Sequence, residues 1–255
     1  MASLSIITIN YNDLEGLKKT TQSVFSQTFK DIEYIVIDGG SSDGSAEYIQ
    51  QHLDRFYYSI SEKDKGIFNA QNKGLAQATR DYCLFLNSGD CLANDNAIAE
   101  VMSQNLEADL ILCNMGFVYD DGVQIRKQSK NIDFKLFATS SIWHPATLIK
   151  RSVFELTGPY NESFRITADY DFFLKAIWKY HASYQRLDVV LSNFDTTGVS
   201  SNPEHAQKHQ DERMRVQAQY FTDEELNESL EIQAREKSFL TKVVRKIKRI
   251  FIPNA

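Results

Sequence analysis

Carboxylates follow two apolar stretches of the chain, close to the point where each stretch turns polar. Asp38 comes directly after Tyr34–Ile37, and Asp90 follows Tyr82–Leu86 after a short loop. Such a carboxylate can accept a hydrogen bond from a nucleobase N–H or a ribose hydroxyl. It can also bind Mg²⁺ or Mn²⁺, hard cations that need few protein carboxylates when diphosphate oxygens complete their coordination. We predict that Asp38 contacts a nucleoside and that Asp90 is a metal ligand.

An aromatic residue joins the predicted nucleoside slot. Tyr11 follows the apolar run Leu4–Ile9 and can stack on a base, while the backbone at Thr8 can line the same slot. Both predicted contacts have a structural alternative. Asp38 is also suited to an Asx-turn that organises the glycine-rich loop behind it, and Tyr11 is also suited to plain packing.

A candidate general base lies in the second half of the chain. Asp169 stands in Ala168-Asp169-Tyr170-Asp171 near a predicted helix start, where a carboxylate can take the proton of an incoming hydroxyl. Asp171 lies two positions further on and therefore faces another side of the helix. The alternative for Asp169 is a helix N-cap, a role that is compatible with catalysis.

Charged residues in a glycine-punctuated stretch are further candidates. Asp64 can reach the base, and Lys65 or Lys73 can meet a diphosphate. For each of them, a solvated charge near a helix start is the alternative.

Alternating strand and helix signals must position these residues. The predicted strands are Leu4–Ile9, Tyr34–Ile37, Phe56–Ile60, Tyr82–Leu86 and Asp109–Cys113. Helical patterns lie between most of them, which indicates βαβ units and a mostly parallel α/β sheet flanked by helices. Ligands of such sheets bind beyond the carboxyl ends of the strands. The polar clusters that fall there are Asn10–Asp13, Asp38–Asp43 and Asn87–Asp90.

The middle of the chain changes character. Phe117–Tyr119 and Val123–Ile125 flank Asp120-Asp121-Gly122, a pattern that predicts a hairpin. Phe164–Tyr180 begins polar and becomes a helix. After Asn202-Pro203 the chain is polar and helical in character to its end.

Several short motifs occur in an order that resembles a known family. They are Ile6-Ile7-Thr8-Ile9-Asn10-Tyr11-Asn12, Ile37-Asp38-Gly39-Gly40-Ser41-Ser42-Asp43-Gly44-Ser45, Asp64-Lys65-Gly66-Ile67, Asn72-Lys73-Gly74, Phe85-Leu86-Asn87-Ser88-Gly89-Asp90 and Ala168-Asp169-Tyr170-Asp171. Together they resemble the family 2 glycosyltransferases of GT-A fold, over roughly residues 4–200. The most similar members look like bacterial enzymes that assemble surface polysaccharide.

The resemblance implies an inverting, metal-dependent enzyme that moves one sugar from a nucleotide sugar, a UDP-sugar by preference, to an acceptor hydroxyl. It implies a catalytic domain over residues 1–200, with a nucleotide-binding half (1–115) and an acceptor half (116–200), and a helical extension over 201–255. It places Ser88 and Gly89 at the donor, Asp90 on Mn²⁺ or Mg²⁺, and His144 on the acceptor or diphosphate side, where a structural histidine is the alternative.

The chain departs from the family pattern at two positions. Ser88 stands where the family's Asp-x-Asp motif has its first carboxylate, and Ala168 stands where Glu precedes the base. One base suffices for such a transfer because the metal neutralises the leaving diphosphate. Neither tryptophan lies in the Gln-x-x-Arg-Trp motif of processive relatives, so we expect one sugar per encounter.

Charge is distributed unevenly along the chain. The net charge is −6, which argues against a general nucleic-acid binder, but residues 235–255 carry seven Lys/Arg and one Glu, so the rest carries −12. Within this tail, Ser238–Ile252 has apolar residues at helical spacing between basic ones, a pattern typical of helices that lie on anionic membranes. A docked or dimer-forming helix is the alternative.

Cysteines and apolar windows bear on where the protein works. Three cysteines without metal-ligand spacing favour a reducing compartment. There is no secretory pattern at the N-terminus and no apolar run long enough to span a bilayer. We therefore expect a cytoplasmic enzyme, peripheral on the inner face of the cell membrane, whose acceptor is a glycan or a lipid-linked glycan.

Two other classes remain open. A sugar-phosphate nucleotidyltransferase needs a glycine- and arginine-rich loop after the first strand, and Asn10-Tyr11-Asn12-Asp13 is not such a loop. A non-catalytic nucleotide-sugar-binding module is distinguished by donor binding without transfer.

Overall fold

A nine-stranded sheet between two helical layers forms the core of the computed structural model, which describes residues 2–198 and 202–235. The strands are β1 Leu4–Asn10, β2 Ile32–Asp38, β3 Tyr58–Ser61, β4 Tyr82–Phe85, β5 Cys91–Leu92, β6 Leu110–Tyr119, β7 Gly122–Arg126, β8 Thr147–Lys150 and β9 Tyr184–Asp195. The sheet order is β3-β2-β1-β4-β8-β6-β9-β5, and β7 pairs with β6 as the predicted hairpin.

Within the described residues, seven α-helices lie between strands along the chain, and an eighth follows β9. They are α1 Leu14–Phe25, α2 Ser45–Gln50, α3 Ile67–Leu75, α4 Ala97–Met102, α5 Phe134–Thr139, α6 Arg151–Thr157, α7 Ala168–Leu174 and α8 Ala206–Tyr220. A π-helical turn, Lys175–Lys179, continues α7, and residues 223–235 are also helical. None of these described helices is both long and apolar enough to cross a membrane.

Strand direction explains where the polar loops meet. β1, β2, β3 and β4 are mutually parallel, and β8 is antiparallel to both β4 and β6. Since β9 is parallel to β6, it points the same way as β1 and β4. The predicted mostly parallel α/β sheet is confirmed, and the carboxyl ends of β1, β2, β4 and β9 lie at one edge.

Both faces of the sheet are covered, because alternate strand residues enter two separate cores. Ile7, Ile35 and Phe85 pack on one side with apolar residues of α3 and α5–α8, while Ile6 and Leu84 pack on the other with α1, α2 and α4. Strands buried on both faces read as continuous apolar runs, which is why β1, β2 and β4 were recognisable in the sequence.

Candidate active site

Three strand ends are tied together by one hydrogen-bond network. The Ser88 Oγ donates to Asn10 Oδ1 at 2.9 Å, and the Asn10 Nδ2 donates to Asp38 Oδ1 at 2.7 Å. Asp38 also accepts from the Ser41 hydroxyl, the Ser41 N–H and the Ser61 hydroxyl at 2.6, 2.9 and 2.6 Å. The network links the ends of β1, β2, β3 and the loop after β4.

Asp38 therefore lies inside the protein rather than on the slot. It has no exposed surface. Burial alone raises the pKa of Asp38, but hydrogen bonds from Ser41, Ser61 and Asn10 hold it below its usual value. The sequence predicted a direct nucleoside contact; the contacts correspond instead to the alternative, a carboxylate that organises its own loop.

Thr8 is also displaced from its predicted position at the slot. It is fully buried within β1, where its hydroxyl donates to the Leu86 carbonyl at 2.7 Å and accepts from the Tyr34 hydroxyl at 3.1 Å. This placement follows from the position of β1, whose seven residues are all buried. Its role is to join β1 to the loop after β4.

Tyr11 and Asp64 lie side by side at the ends of β1 and β2, and we call the surface that they form the Tyr11–Asp64 slot. A Cβ atom added at Gly39 would lie 2.6 Å from Asp64 Oδ2 and 3.1 Å from Tyr11 Cδ2, so both side chains lie against this glycine. The Tyr11 ring is 67% exposed. Asp64 Oδ1 accepts from the Gly66 N–H at 2.8 Å, and no described residue donates to its Oδ2. An exposed ring beside an available carboxylate oxygen suits a nucleobase.

Lys73 supports this slot from α3. Its ammonium lies 2.7 Å from Glu62 Oε1, an ion pair that holds α3 against the loop carrying Asp64. This contact gives Lys73 a structural role, and its predicted contact with the donor stays a prediction.

Two carboxylates meet at the ends of β4 and β9. The Asp195 N–H donates to Asp90 Oδ1 at 2.8 Å, and the Asp195 Oδ2 would lie 3.1 Å from a Cβ at Gly89. Gly89 has φ +94°, a conformation that glycine adopts readily, so it suits the position for both backbone and space. The Gly89 N–H donates a hydrogen bond to Thr20 Oγ1 at 3.1 Å.

This carboxylate pair has the properties of a cation site. Burial raises the pKa of Asp90 to about 7; the Asp195 charge adds to this, while the Asp195 N–H and the Lys19 charge oppose it. Asp90 is 4% exposed, and its Oδ2 receives no hydrogen bond from a described residue. A cation beside Oδ2 relieves the repulsion between the two carboxylates.

The small number of protein ligands favours a cation whose coordination is completed by diphosphate oxygens. Over residues 2–198 and 202–235, no group of three or more His, Cys, Asp or Glu side chains is placed to hold a metal. Mg²⁺ takes one or two carboxylates plus phosphate oxygens and waters, so the pair fits such an ion.

Asp169 occupies the first turn of α7. The N-cap of α7 is Thr167, so the N-cap alternative does not apply to Asp169. Its Oδ1 accepts from the Tyr170 N–H at 2.8 Å, and burial raises its pKa to about 6, against the opposing effects of nearby backbone N–H groups and the Arg213 charge. A half-buried carboxylate with a pKa near 6 is ionised at neutral pH and is a stronger base than an exposed one.

Helix α8 fixes the start of α7. The Glu212 carboxylate accepts backbone N–H bonds from Arg165, Ile166 and Thr167 at 2.9–3.2 Å. The Arg213 guanidinium donates to the Phe137 carbonyl at 2.7 Å. Glu212 thereby fixes the first turn of α7, which carries Asp169, and the Arg213 charge lowers the pKa of Asp169.

His144 lies beneath this site as a structural residue. Its Nε2 is 2.7 Å from the Tyr160 hydroxyl, and its ring stacks on Phe85 at 4.9 Å. Burial lowers the pKa of His144 to about 3, which keeps it neutral. These contacts correspond to the structural alternative for His144. They also connect Asp169 to the sheet edge, because the Asp169 charge acts on Tyr160 and Phe85 ends β4.

Four residues of the site escaped the sequence analysis: Lys19, Asp195, Glu212 and Arg213. Lys19 lies close enough to Asp90 and Asp195 for its charge to lower the pKa of both. Lys19 and Glu212 belong to helices with many polar residues, and nothing in the sequence distinguishes these two from ordinary solvent-exposed positions. Asp195 is the last residue of a strand with no clear alternation, so no local pattern in the sequence indicated its place at the sheet edge.

Comparisons with known proteins match the chain to one family. Residues 5–164 match the family described as glycosyl transferase family 2. An uncharacterised glycosyltransferase of Mycobacterium tuberculosis is 34% identical over 207 residues, which span 79% of this chain and 78% of that protein. A PGL/p-HBAD biosynthesis glycosyltransferase of Mycobacterium bovis is 26% identical over 209 residues, 78% of each chain.

Solved structures share the fold at low sequence identity. Residues 1–349 of TarS from S. aureus, in complex with UDP, superpose with a TM-score of 0.69 at 19% identity, over 91% of this chain and 70% of that one. The mannosyltransferase PcManGT from Pyrobaculum calidifontis, with GDP-Man and Mn²⁺, gives 0.65 at 13% identity, over 91% and 69%.

Proposed function

The chain belongs to glycosyltransferase family 2, and from that premise we propose that it transfers one sugar, with inversion, from a nucleotide sugar to an acceptor hydroxyl. A UDP-sugar is the favoured donor. The observation that carries the proposal is the Asp90–Asp195 pair, a cation site with an available carboxylate oxygen on the same sheet edge as the Tyr11–Asp64 slot.

Each part of the site has one role in this reaction. Tyr11 stacks on the base, and the Asp64 Oδ2 accepts its N–H. Asp90 and Asp195 would hold Mn²⁺ or Mg²⁺, and such an ion would neutralise the charge of the leaving diphosphate. Asp169 takes the proton of the acceptor hydroxyl as that oxygen attacks the anomeric carbon from the side opposite the diphosphate. Asp195 replaces the carboxylate that Ser88 lacks.

We assign the domains as the sequence predicted, with one amendment. Residues 1–115 form the nucleotide-binding half, 116–200 the acceptor half and 201–255 the helical extension. The amendment is that α8, which belongs to the extension, is part of the catalytic unit, since Glu212 holds the start of α7 and Arg213 lies over the Tyr170 ring of α7.

Donor binding is tested at Asp64. Asp64→Asn is expected to weaken UDP binding at least roughly tenfold, because a hydrogen bond to a charged group contributes about 1.5–3 kcal/mol. The measurement is calorimetric titration with UDP and Mn²⁺. Asp54→Asn, an exposed aspartate before β3, is the matched control and should bind UDP as the unmodified protein does.

Inorganic diphosphate separates the base contact from the metal site. Asp64→Asn should bind diphosphate and Mn²⁺ with unchanged affinity, since neither reaches the slot. Equal loss of UDP and diphosphate affinity would contradict the placement of the base at Asp64.

The acceptor is, in this proposal, a lipid-linked glycan in bacterial polysaccharide assembly. A related protein is a glycosyltransferase of PGL/p-HBAD biosynthesis. The basic amphipathic segment Ser238–Ile252 lies outside the described residues, so its role is proposed from sequence: it holds the enzyme on the inner face of the cell membrane. Each basic residue close to an anionic leaflet contributes about 1 kcal/mol.

Removing the tail tests this localisation. A chain that ends at residue 237 is expected to lose sedimentation with anionic lipid vesicles while retaining UDP affinity. Binding of the full chain should weaken at 1 M salt, where the Debye length falls to about 3 Å. Equal sedimentation of the two chains would reassign the tail to packing or dimerisation.

A further inference from the structure

A cleft of about 600 Å³ lies between the ends of α6, α7 and α8, outside the residues assigned to transfer. Its size falls within the range of small-molecule sites. The lining includes Asp171, Lys175, Trp178, Lys179, Gln219 and Tyr220. Two lysines and one aspartate make this lining net positive, although the chain up to residue 234 carries −12.

Asp171 is a buried carboxylate that faces the cleft with one oxygen available. It is 6% exposed, and its Oδ1 accepts from the Tyr220 hydroxyl at 2.9 Å. No described residue donates a hydrogen bond to its Oδ2. Oδ2 is open to the cleft, where it can accept a hydrogen bond from a ligand hydroxyl or amine.

Trp178 adds an aromatic surface to the same cleft. Its indole packs against Phe134 and Phe221, with ring centroids 6.5 and 5.6 Å away, and it also lines the cleft. Trp178 belongs to the π-helical turn Lys175–Lys179. Such turns are rare and occur frequently at functional sites. Here the turn places Trp178 and Lys179 next to Asp171.

From these contacts we propose that the cleft binds a sugar unit of a glycan. A pyranose has an apolar C–H face that stacks on an indole and hydroxyls that donate to carboxylates and accept from ammonium and amide groups. Trp178 supplies the stacking surface, the Asp171 Oδ2 accepts a sugar hydroxyl, and Lys179 and Gln219 donate to sugar oxygens.

The cleft and the transfer site lie on different sides of one helix. Asp169 and Asp171 point about 200° apart around α7, since successive helical residues turn by about 100°. The bound unit is therefore separate from the hydroxyl that reacts at Asp169. The inference rests on the proposed transfer to a glycan acceptor, whose chain would engage both sides of the helix.

Tryptophan fluorescence gives a direct test, because the chain has only two tryptophans. In Trp143→Phe, Trp178 is the sole emitter. The probes are neutral and glucuronate-containing oligosaccharides, titrated with saturating UDP and Mn²⁺. We expect saturable quenching or enhancement with at least one probe. Adding Asp171→Asn should weaken that affinity at least roughly tenfold, the loss of one hydrogen bond to a charged group.

One further variant is the control. Asp211→Asn changes an exposed aspartate of α8 and should bind the probe normally. Asp171→Asn should retain UDP affinity, which separates this test from the proposed function. No response to any oligosaccharide, or equal oligosaccharide affinities in Asp171→Asn and Asp211→Asn, would overturn the inference.

Discussion

Replacing Asp169 by asparagine is expected to lower kcat about 10²–10⁴-fold, the usual contribution of a positioned base. Donor affinity should stay unchanged, because Asp169 lies on α7 and contacts no residue of the Tyr11–Asp64 slot. Asparagine has nearly the same shape, and its side-chain oxygen can still accept the Tyr170 N–H, so the fold should persist. Calorimetric titration with UDP and steady-state kinetics give the two quantities.

The pH profile adds an independent readout. Asp169 acts as a base only when ionised, and its pKa is about 6. The activity of the unmodified enzyme should therefore fall as pH decreases through about 6, and this limb should be absent from the residual activity of Asp169→Asn. Asp171→Asn, the same change two residues along the helix, should reduce kcat far less. Near-normal turnover in Asp169→Asn would assign the base to another residue.

Asp90→Asn is expected to remove the metal site. Replacing a residue that hydrogen-bonds to a metal ligand typically lowers metal affinity 10–100-fold. Replacing the ligand itself should therefore lower metal affinity at least about 100-fold. Electron paramagnetic resonance of Mn²⁺, titrated in the presence of UDP, measures this affinity without any turnover. Sugar transfer should fall in parallel.

The pKa of Asp90 determines whether metal affinity rises or falls with pH. Its pKa is about 7 without a cation, so a proton competes with Mn²⁺ below that pH. Affinity for Mn²⁺ should strengthen as pH rises through about 7. Asp195→Asn should weaken binding to a lesser degree, while Asp188→Asn, an exposed change on the same strand, should leave it unaltered. Equal Mn²⁺ affinity in Asp90→Asn and the unmodified protein would contradict the assignment.

The nucleotide-binding half was predictable because its signals are local. Strands β1, β2 and β4 are buried on both faces, and the helix after β1 begins where Asp13 caps it by accepting the Gly16 N–H at 3.0 Å. Parallel strands bring their polar loops to one edge, so the approximate position of Asp90 followed from its place after β4. Tyr11 and Asp64 likewise lie at that edge.

The roles of individual side chains were harder to predict, since they depend on contacts between distant segments. Asp38 has the right type and position for a nucleoside contact, yet Ser61, 23 residues away, helps to occupy its carboxylate. Asp195 meets Asp90 across 105 residues, and Glu212 meets Ile166 across 46. No spacing within the sequence encodes such pairings.

Strand β9 shows the same limit at the level of the fold. Leu191 is its only fully buried hydrophobic residue, and polar residues interrupt its other, partly exposed apolar residues. Its pattern therefore lacks both the alternation and the apolar run that identify strands. The parallel pairing with β6, which carries Asp195 to the active-site edge, became apparent only in the structure.

Product analysis of the unmodified enzyme tests the central claim most directly. The purified protein is incubated with a panel of nucleotide sugars, Mn²⁺ and lipid-linked glycan acceptors, and nucleoside diphosphate and glycosylated acceptor are quantified by mass spectrometry. We predict that one donor yields the two products in equal amounts, and that chelator or Asp90→Asn abolishes both. Binding of nucleotide sugars with no transfer to any acceptor, or transfer at full rate in excess chelator, would contradict a metal-dependent glycosyltransferase.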